Sequence, residues 1–137
     1  MDQVRVNVKI TNAIDEGMAR RQAMEVAKIR HCEVQALVDT GAVTCVLPSA
    51  IVDSLGLARL YHHVVQYADG RQEEVDITEP VLLEILGRHT YEECAVLGDT
   101  VLIGQTALKK TDLHVDCRGG QLLPNPAHPY QPVILIR

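Results

Sequence analysis

Asp39-Thr40-Gly41 is the stretch of this chain whose residue types could do acid–base chemistry together. It follows the apolar run Ala36-Leu37-Val38 and is followed by Ala42. A carboxylate at the end of an apolar run is costly to desolvate, so it requires partners or a chemical task. A threonine hydroxyl both donates and accepts, and can tie the loop bearing the aspartate to another loop. Gly41 permits a backbone shape, or a close approach, that a Cβ would block. The flanks, Glu33 to Val38 and Val43 to Leu47, read as strands entering and leaving this loop. Other candidate groups are weaker. Cys45 sits in an apolar run with no histidine near it in sequence, which suits a structural thiol better than a nucleophile. His62-His63 lies in an extended run where one ring faces each way, so a solvated pair fits better than a metal site. Cys32, Cys45, Cys94 and Cys117 match no usual zinc spacing and read as free thiols in a reducing compartment.

The elements that must position Asp39 are mostly strands. Val4 to Thr11 alternates apolar and polar residues, the pattern of a strand with one buried face. From Asn12 the period changes: Ile14, Met18, Ala23-Met24 and Ala27 recur at helical spacing. Asp15 and Glu16 lie at the start of that segment and Lys28, Arg30 and His31 near its end, which suits a helix dipole and predicts a helical insertion near residues 13–29. Pro48-Ser49 opens a short helix with Ile51, Val52 and Leu55 on its apolar face, stopped by Gly56. Two extended runs, 59–67 and 71–77, flank Ala68-Asp69-Gly70, and Asp-Gly between such runs predicts a hairpin. Val81 to Leu86 and Tyr91 to Val96 read as strands turning near Gly87. Val101 to Gly104 reads as a buried strand, Thr106 to Lys110 as a short helix, and Leu113 to Asp116 as a strand. After a turn at Arg118-Gly119-Gly120, residues 124–132 form a proline-bearing loop, and Val133 to Ile136 closes the chain as an apolar strand. So apolar a terminal strand calls for cover, and a partner chain is a candidate.

At 137 residues the chain is one domain, 1–137, with enough apolar content (47%) to bury a modest core. It contains no Phe or Trp, so the core is built from Val, Leu, Ile and Ala, which suits a mainly β interior. A net charge of −5 without a basic stripe argues against nucleic acid as the main partner. With neither a signal peptide nor an apolar run of about 18 residues, no membrane association is expected and a cytoplasmic location is the default.

Several blocks, in order, carry a resemblance. They are Leu37-Val38-Asp39-Thr40-Gly41-Ala42, Val46-Leu47-Pro48, Leu55-Gly56-Leu57, Tyr67-Ala68-Asp69-Gly70, Leu102 to Leu108, and Leu113-His114-Val115-Asp116 with Pro124-Asn125-Pro126 behind. On these the chain resembles the retropepsin-like aspartic proteases, in particular their small bacterial members. The resemblance implies a single-domain closed β-barrel with short helices and a hydrolase that cuts peptides or proteins without metal or cofactor. Two carboxylates held close share one proton, one acting as base on water while the other polarises the scissile carbonyl. This chain carries one Asp-Thr-Gly triplet, so the second carboxylate must come from another Asp39, which a two-fold homodimer supplies. By resemblance, Thr40 bonds across the dimer axis, Gly41 and Ala42 line the floor, Ile103-Gly104 packs beneath the loop, and Tyr67, Ala68, Asp69 and Gly70 belong to a flap over the substrate. Retroviral members often place acidic residues after Asp-Thr-Gly-Ala and an arginine after the later glycine, forming an ion pair. Here those places hold Val43-Thr44 and Gln105, and the flap tip is not glycine-rich. The alternative function is a non-catalytic dimeric peptide-binding module of the same fold. A thiol or metal enzyme built on the Cys and His residues ranks third.

Overall fold

The computed structural model describes residues 3–137. Strand β1 (Arg5–Asn12) forms where the alternation predicted it, with Val6, Val8 and Ile10 buried. Helix α1 (Ala13–Arg20) begins at Asn12, whose side chain accepts from the Asp15 amide at 3.0 Å. The helical insertion predicted near 13–29 is realised only in part. The chain turns out of α1 at Gln22, which takes φ +63°, with Ala23 N–H donating to Met18 O and Gln22 N–H to Ala19 O. That bonding is the left-handed stop usually given to glycine, so Ala23-Met24 never joins the helix. A single 3-10 turn, Val26–Lys28, then leads to β2 (His31–Val38).

The insertion is fastened rather than loose. Asp15 is buried and receives the Arg30 guanidinium at 2.8 and 2.9 Å and the Arg30 amide at 3.0 Å. The Arg30 side chain holds the Asp15 carboxyl below the usual carboxylate range. Asn12 also donates to Leu55 O at 2.8 Å, joining the insertion to the next helix.

Beyond the Asp39 loop come β3 (Val46–Leu47), α2 (Ser49–Ser54), β4 (Arg59–Gln66), β5 (Gln72–Thr78), β6 (Val81–Ile85) and β7 (Arg88–Glu92). They are followed by β8 (Ala95–Val96), β9 (Leu102–Ile103), α3 (Gln105–Thr111), β10 (Leu113–Asp116) and β11 (Gln121–Pro124). Nine strands make one curled sheet in the order β4-β5-β8-β3-β9-β2-β1-β6-β7, and β10-β11 pair separately. The fold is thus mainly β with small helices. The closed barrel expected from the resemblance is not found: β4 and β7 are the free ends of the sheet among the described residues. The main core joins Val8, Ile10, Leu47, Val52, Leu83 and Ile103, an aliphatic interior as the composition required. The apolar end, Val133 to Ile136, was expected to close the chain as a strand; it carries no strand pairing and stays exposed. No helix among the described residues is long and apolar enough to cross a membrane.

Candidate active site

Strand β2 delivers Asp39, and β9 holds it there. Leu37 and Val38 pair in parallel with Leu102 and Ile103, and the Asp39 amide donates to Ile103 O at 3.0 Å. Strand β3 lies antiparallel on the other side of β9, with Val46 opposite Leu102, so the two limbs of the loop flank one short strand. The loop then folds on itself. Gly41 N–H donates to Asp39 Oδ1 at 2.9 Å, and Ala42 N–H donates to Asp39 O at 3.1 Å. A carboxylate fixed by its own loop amide keeps one oxygen engaged and presents the other.

The floor beneath explains Gly104. A Cβ there would stand 2.7 Å from Thr44 O and 2.9 Å from Ala42 O, too close for any side chain. Its amide donates to Cys45 Sγ at 3.4 Å. Cys45 is buried, and burial pushes its thiol up to about 11, so it stays protonated and packs as a small apolar group.

The first turn of α3 grips the loop from the side, which the sequence did not disclose. Gln105 Nε2 donates to Thr40 O and its amide to Ala42 O at 2.7 Å. Thr106 Oγ1 and its amide both donate to Val43 O, at 2.9 and 3.1 Å. Where retroviral relatives place an ion pair, this chain puts neutral donors on three backbone carbonyls. The only sign of this in the sequence was that Gln105-Thr106 directly follows the Ile103-Gly104 block, without arginine.

Across from the loop stands the hairpin of β4 and β5, antiparallel from Tyr61–Ile77 to Gln66–Gln72. Its tip turns where Asp-Gly predicted, with Gly70 N–H donating to Tyr67 O at 2.9 Å and φ +89° at Gly70. Asp69 accepts from the Arg71 amide at 3.0 Å and from its guanidinium at 2.7 Å, and these bonds hold its carboxyl below the usual range. Tyr67 donates to Glu73 at 2.9 Å, and the Arg71 guanidinium lies over its ring at 4.8 Å. Between loop and hairpin opens a cavity of about 570 Å³. Asp39, Gly41, Ala42, Tyr67 and Ala68 all line it, with Val46, Val64 and Leu102 among its apolar walls. Of the other predicted site residues, Thr40 stands exposed, Ile103 and Gly104 lie buried in the floor, and Asp69 and Gly70 sit out at the tip, off the wall. His62, in β4, pairs with Asp76 at 2.7 Å as an exposed surface group.

A single aspartate on a braced loop, beneath a hairpin and beside an apolar cleft, defines an aspartyl-protease-like site. The family model described as "gag-polyprotein putative aspartyl protease" matches residues 24–110, well over half of the sequence, and the chain belongs to that family. The match spans the Asp39 loop, the hairpin and most of α3, and ends before β10, β11 and the C-terminal segment. No curated protein matches the chain.

Proposed function

We propose that this chain is an aspartic endopeptidase that works as a homodimer, with Asp39 of each protomer facing the other across a two-fold axis. The observation that carries the reading is the placement of Asp39: half-buried, oriented by Gly41 N–H, and opening on the same cleft as Tyr67 and Ala68 of the hairpin. Membership of an aspartyl protease family supports it.

The chemistry follows from two carboxylates that cannot both ionise and therefore share a proton. The ionised one removes a proton from water as the oxygen attacks the scissile carbonyl. The protonated one donates to the carbonyl oxygen, which becomes a hydroxyl of the tetrahedral intermediate. Collapse breaks the C–N bond, a proton passes to the departing amine, and the dyad returns to one shared proton. Gly41 and Ala42 are floor, the hairpin tip at residues 67–70 is the flap, and the aliphatic walls favour an extended peptide with apolar side chains. Thr40, exposed in the loop, bonds its counterpart across the axis in this reading. The apolar end at Val133 to Ile136 is covered by the second chain.

Incubation of the purified protein with a diverse peptide library from acid to neutral pH tests the reading. Cleavage should fall a hundred- to ten-thousandfold in Asp39→Asn, the usual worth of positioned acid–base groups. Peptides that bind in the cleft and emerge uncut from the wild type would establish the binding module instead.

A further inference from the structure

Two thiols that the chemistry above does not use stand next to each other in the core, beside the limb that leaves the Asp39 loop. In the parallel pairing of β3 with β8, Val46 lies opposite Ala95 and Leu47 opposite Val96. One step back along both strands, the same register sets Cys45 opposite Cys94, and the Ala95 amide donates to Cys45 O at 3.0 Å. The two side chains also leave the sheet on the same side. Cys45 and Cys94 both belong to the main core, whereas Val46 and Ala95, the next residue of each strand, belong to a second, smaller cluster. Neighbouring strands run about 4.7–4.9 Å apart, and the Cα atoms of a disulfide are separated by about 4.4–6.8 Å. Two cysteines in this relation can therefore be joined with little movement of the backbone. Both are free thiols here, 1% and 0% exposed. Cys94 Sγ donates to Glu92 O at 3.8 Å, and Cys45 Sγ accepts from the Gly104 amide at 3.4 Å.

We propose that Cys45 and Cys94 are a modification site, at which a hydroperoxide closes a disulfide that disturbs the floor of the Asp39 loop. In the closed fold the site is silent, because burial pushes both thiols up and keeps them protonated. Reaction waits for β3 and β8 to part; each is a strand of two residues, so few bonds must open. The Cys45 thiol then loses its proton, and the thiolate attacks one oxygen of hydrogen peroxide. The O–O bond breaks, leaving Cys45 as a sulfenic acid and releasing hydroxide, which takes up that proton as water. The Cys94 sulfur attacks the Cys45 sulfur, the S–O bond breaks, and the hydroxyl departs with the Cys94 proton as a second water. Two thiols have lost two protons and two electrons, and the peroxide has gained them. The effect reaches the loop through Gly104. To meet Cys94, Cys45 Sγ turns away from the Gly104 amide and leaves it without its acceptor. Gly104 is packed so closely on Thr44 O and Ala42 O that any shift of its backbone passes to the loop. This effect on cleavage rests on the protease reading above; the bond itself does not.

The test uses the full chain carrying Cys32→Ala and Cys117→Ser, which leaves this pair alone to react. Treated with hydrogen peroxide, alkylated and digested without reductant, it should yield one linked peptide joining Cys45 to Cys94, and an intact mass lower by two hydrogens. Peptide cleavage should fall about tenfold or more in step with the linked fraction, the scale on which a displaced catalytic group loses rate. A thiol reductant should restore it, which methionine oxidation would not allow. Cys94→Ala, added to the same background, keeps the acceptor of the Gly104 amide and should hold its cleavage through the same treatment. Loss of cleavage in that variant would put the effect on Cys45 alone and overturn the pair. The linked peptide of the parent chain decides the pairing whether or not this variant folds. Peroxide that leaves both thiols free overturns the site. A Cys45–Cys94 bond with cleavage unchanged overturns its hold on the loop. A reduced chain that cuts no peptide overturns the protease reading instead, while the disulfide still stands or falls by its mass.

Discussion

At the scale of the residue, the aspartate loop is braced almost wholly by hydrogen bonds to its backbone carbonyls. Gln105 and Thr106 hold the carbonyls of Thr40, Ala42 and Val43, and Gly41 N–H steers the Asp39 carboxylate. Replacing Gln105 by Met keeps the length and removes the side-chain donor to Thr40 O. Loss of one such bond is worth about 0.5–1.5 kcal/mol, so kcat should fall about two- to tenfold, with KM little changed if only the dyad's aim is disturbed. Steady-state kinetics on one peptide decides it, and an unchanged kcat removes Gln105 from the positioning of the loop. Thr40 is tested by a pair of substitutions. If its hydroxyl bridges the two loops, Thr40→Val loses a buried bond on each side of the axis, each worth on the order of 1–3 kcal/mol. Thr40→Ser keeps the hydroxyl and should be much milder. Equal effects on dimer strength and activity would rule out the bridge.

Elements were legible in the sequence where local pattern and tertiary demand agreed. The hairpin from β4 to β5 was readable because extended runs flank Asp69-Gly70, and the paired strands differ from the predicted runs by a residue at most at each end. The place of Asp39, on a loop directly after β2, was readable because an apolar strand that ends in a carboxylate is locally anomalous. The end of α1 was not, because the left-handed stop falls on Gln22 rather than on a glycine. Strand β11 (Gln121–Pro124) was hidden by the prolines that follow it, though Pro124 sits at the strand's end, opposite Leu113. The grip of α3 on the loop left no trace in any period, since side chains that bond carbonyls obey no repeat. Val133 to Ile136 showed its apolarity in sequence but not its partner, and within one chain it has none of the strand pairing expected. Gly56 tests how firmly the insertion is seated. It takes φ +63°, and a Cβ there would meet Arg30 Nη1 at 1.8 Å. Gly56→Ala therefore combines left-handed strain of about 1–2 kcal/mol with displacement of the guanidinium from Asp15. Urea unfolding should show a loss of at least that size, and a smaller one would mean that Arg30 moves aside freely.

At the scale of the whole molecule, two measurements address the assembled form. The first is exchange between wild-type and Asp39→Asn chains. Mixed one to one with random pairing, about half the dimers are mixed and about a quarter are wild type. If both carboxylates are needed, activity per wild-type chain falls to roughly half once exchange is complete. A site contained in one chain predicts no fall, and unchanged activity after demonstrated exchange would sink the two-Asp39 mechanism. The second is the response of the Val133 amide to acid. Asn125, the Val133 amide and His128 hold the Asp112 carboxyl down to about 2. Its folded value is depressed, so its contribution is present above the ordinary carboxylate range, near pH 4, and is lost as pH falls through about 2. Amide exchange at Val133 should stay slow through mild acid and quicken between about pH 4 and pH 2. Quickening already at pH 5 would show that another group controls this amide.

The parallel pairing of β2 with β9 also bears on when the Asp39 loop can be completed during synthesis. Leu37 meets Leu102, and Thr40 meets Gln105, across some 65 residues of intervening sequence. Such distant contacts form slowly, because the entropy of closing the loop must be met before any of them can reward it. The nascent polypeptide therefore carries Asp39 out of the ribosome long before the strand that braces it exists. Any chemistry that depends on the braced loop must wait for that strand. Topology alone delays the finished loop until β9 and the start of α3 have emerged.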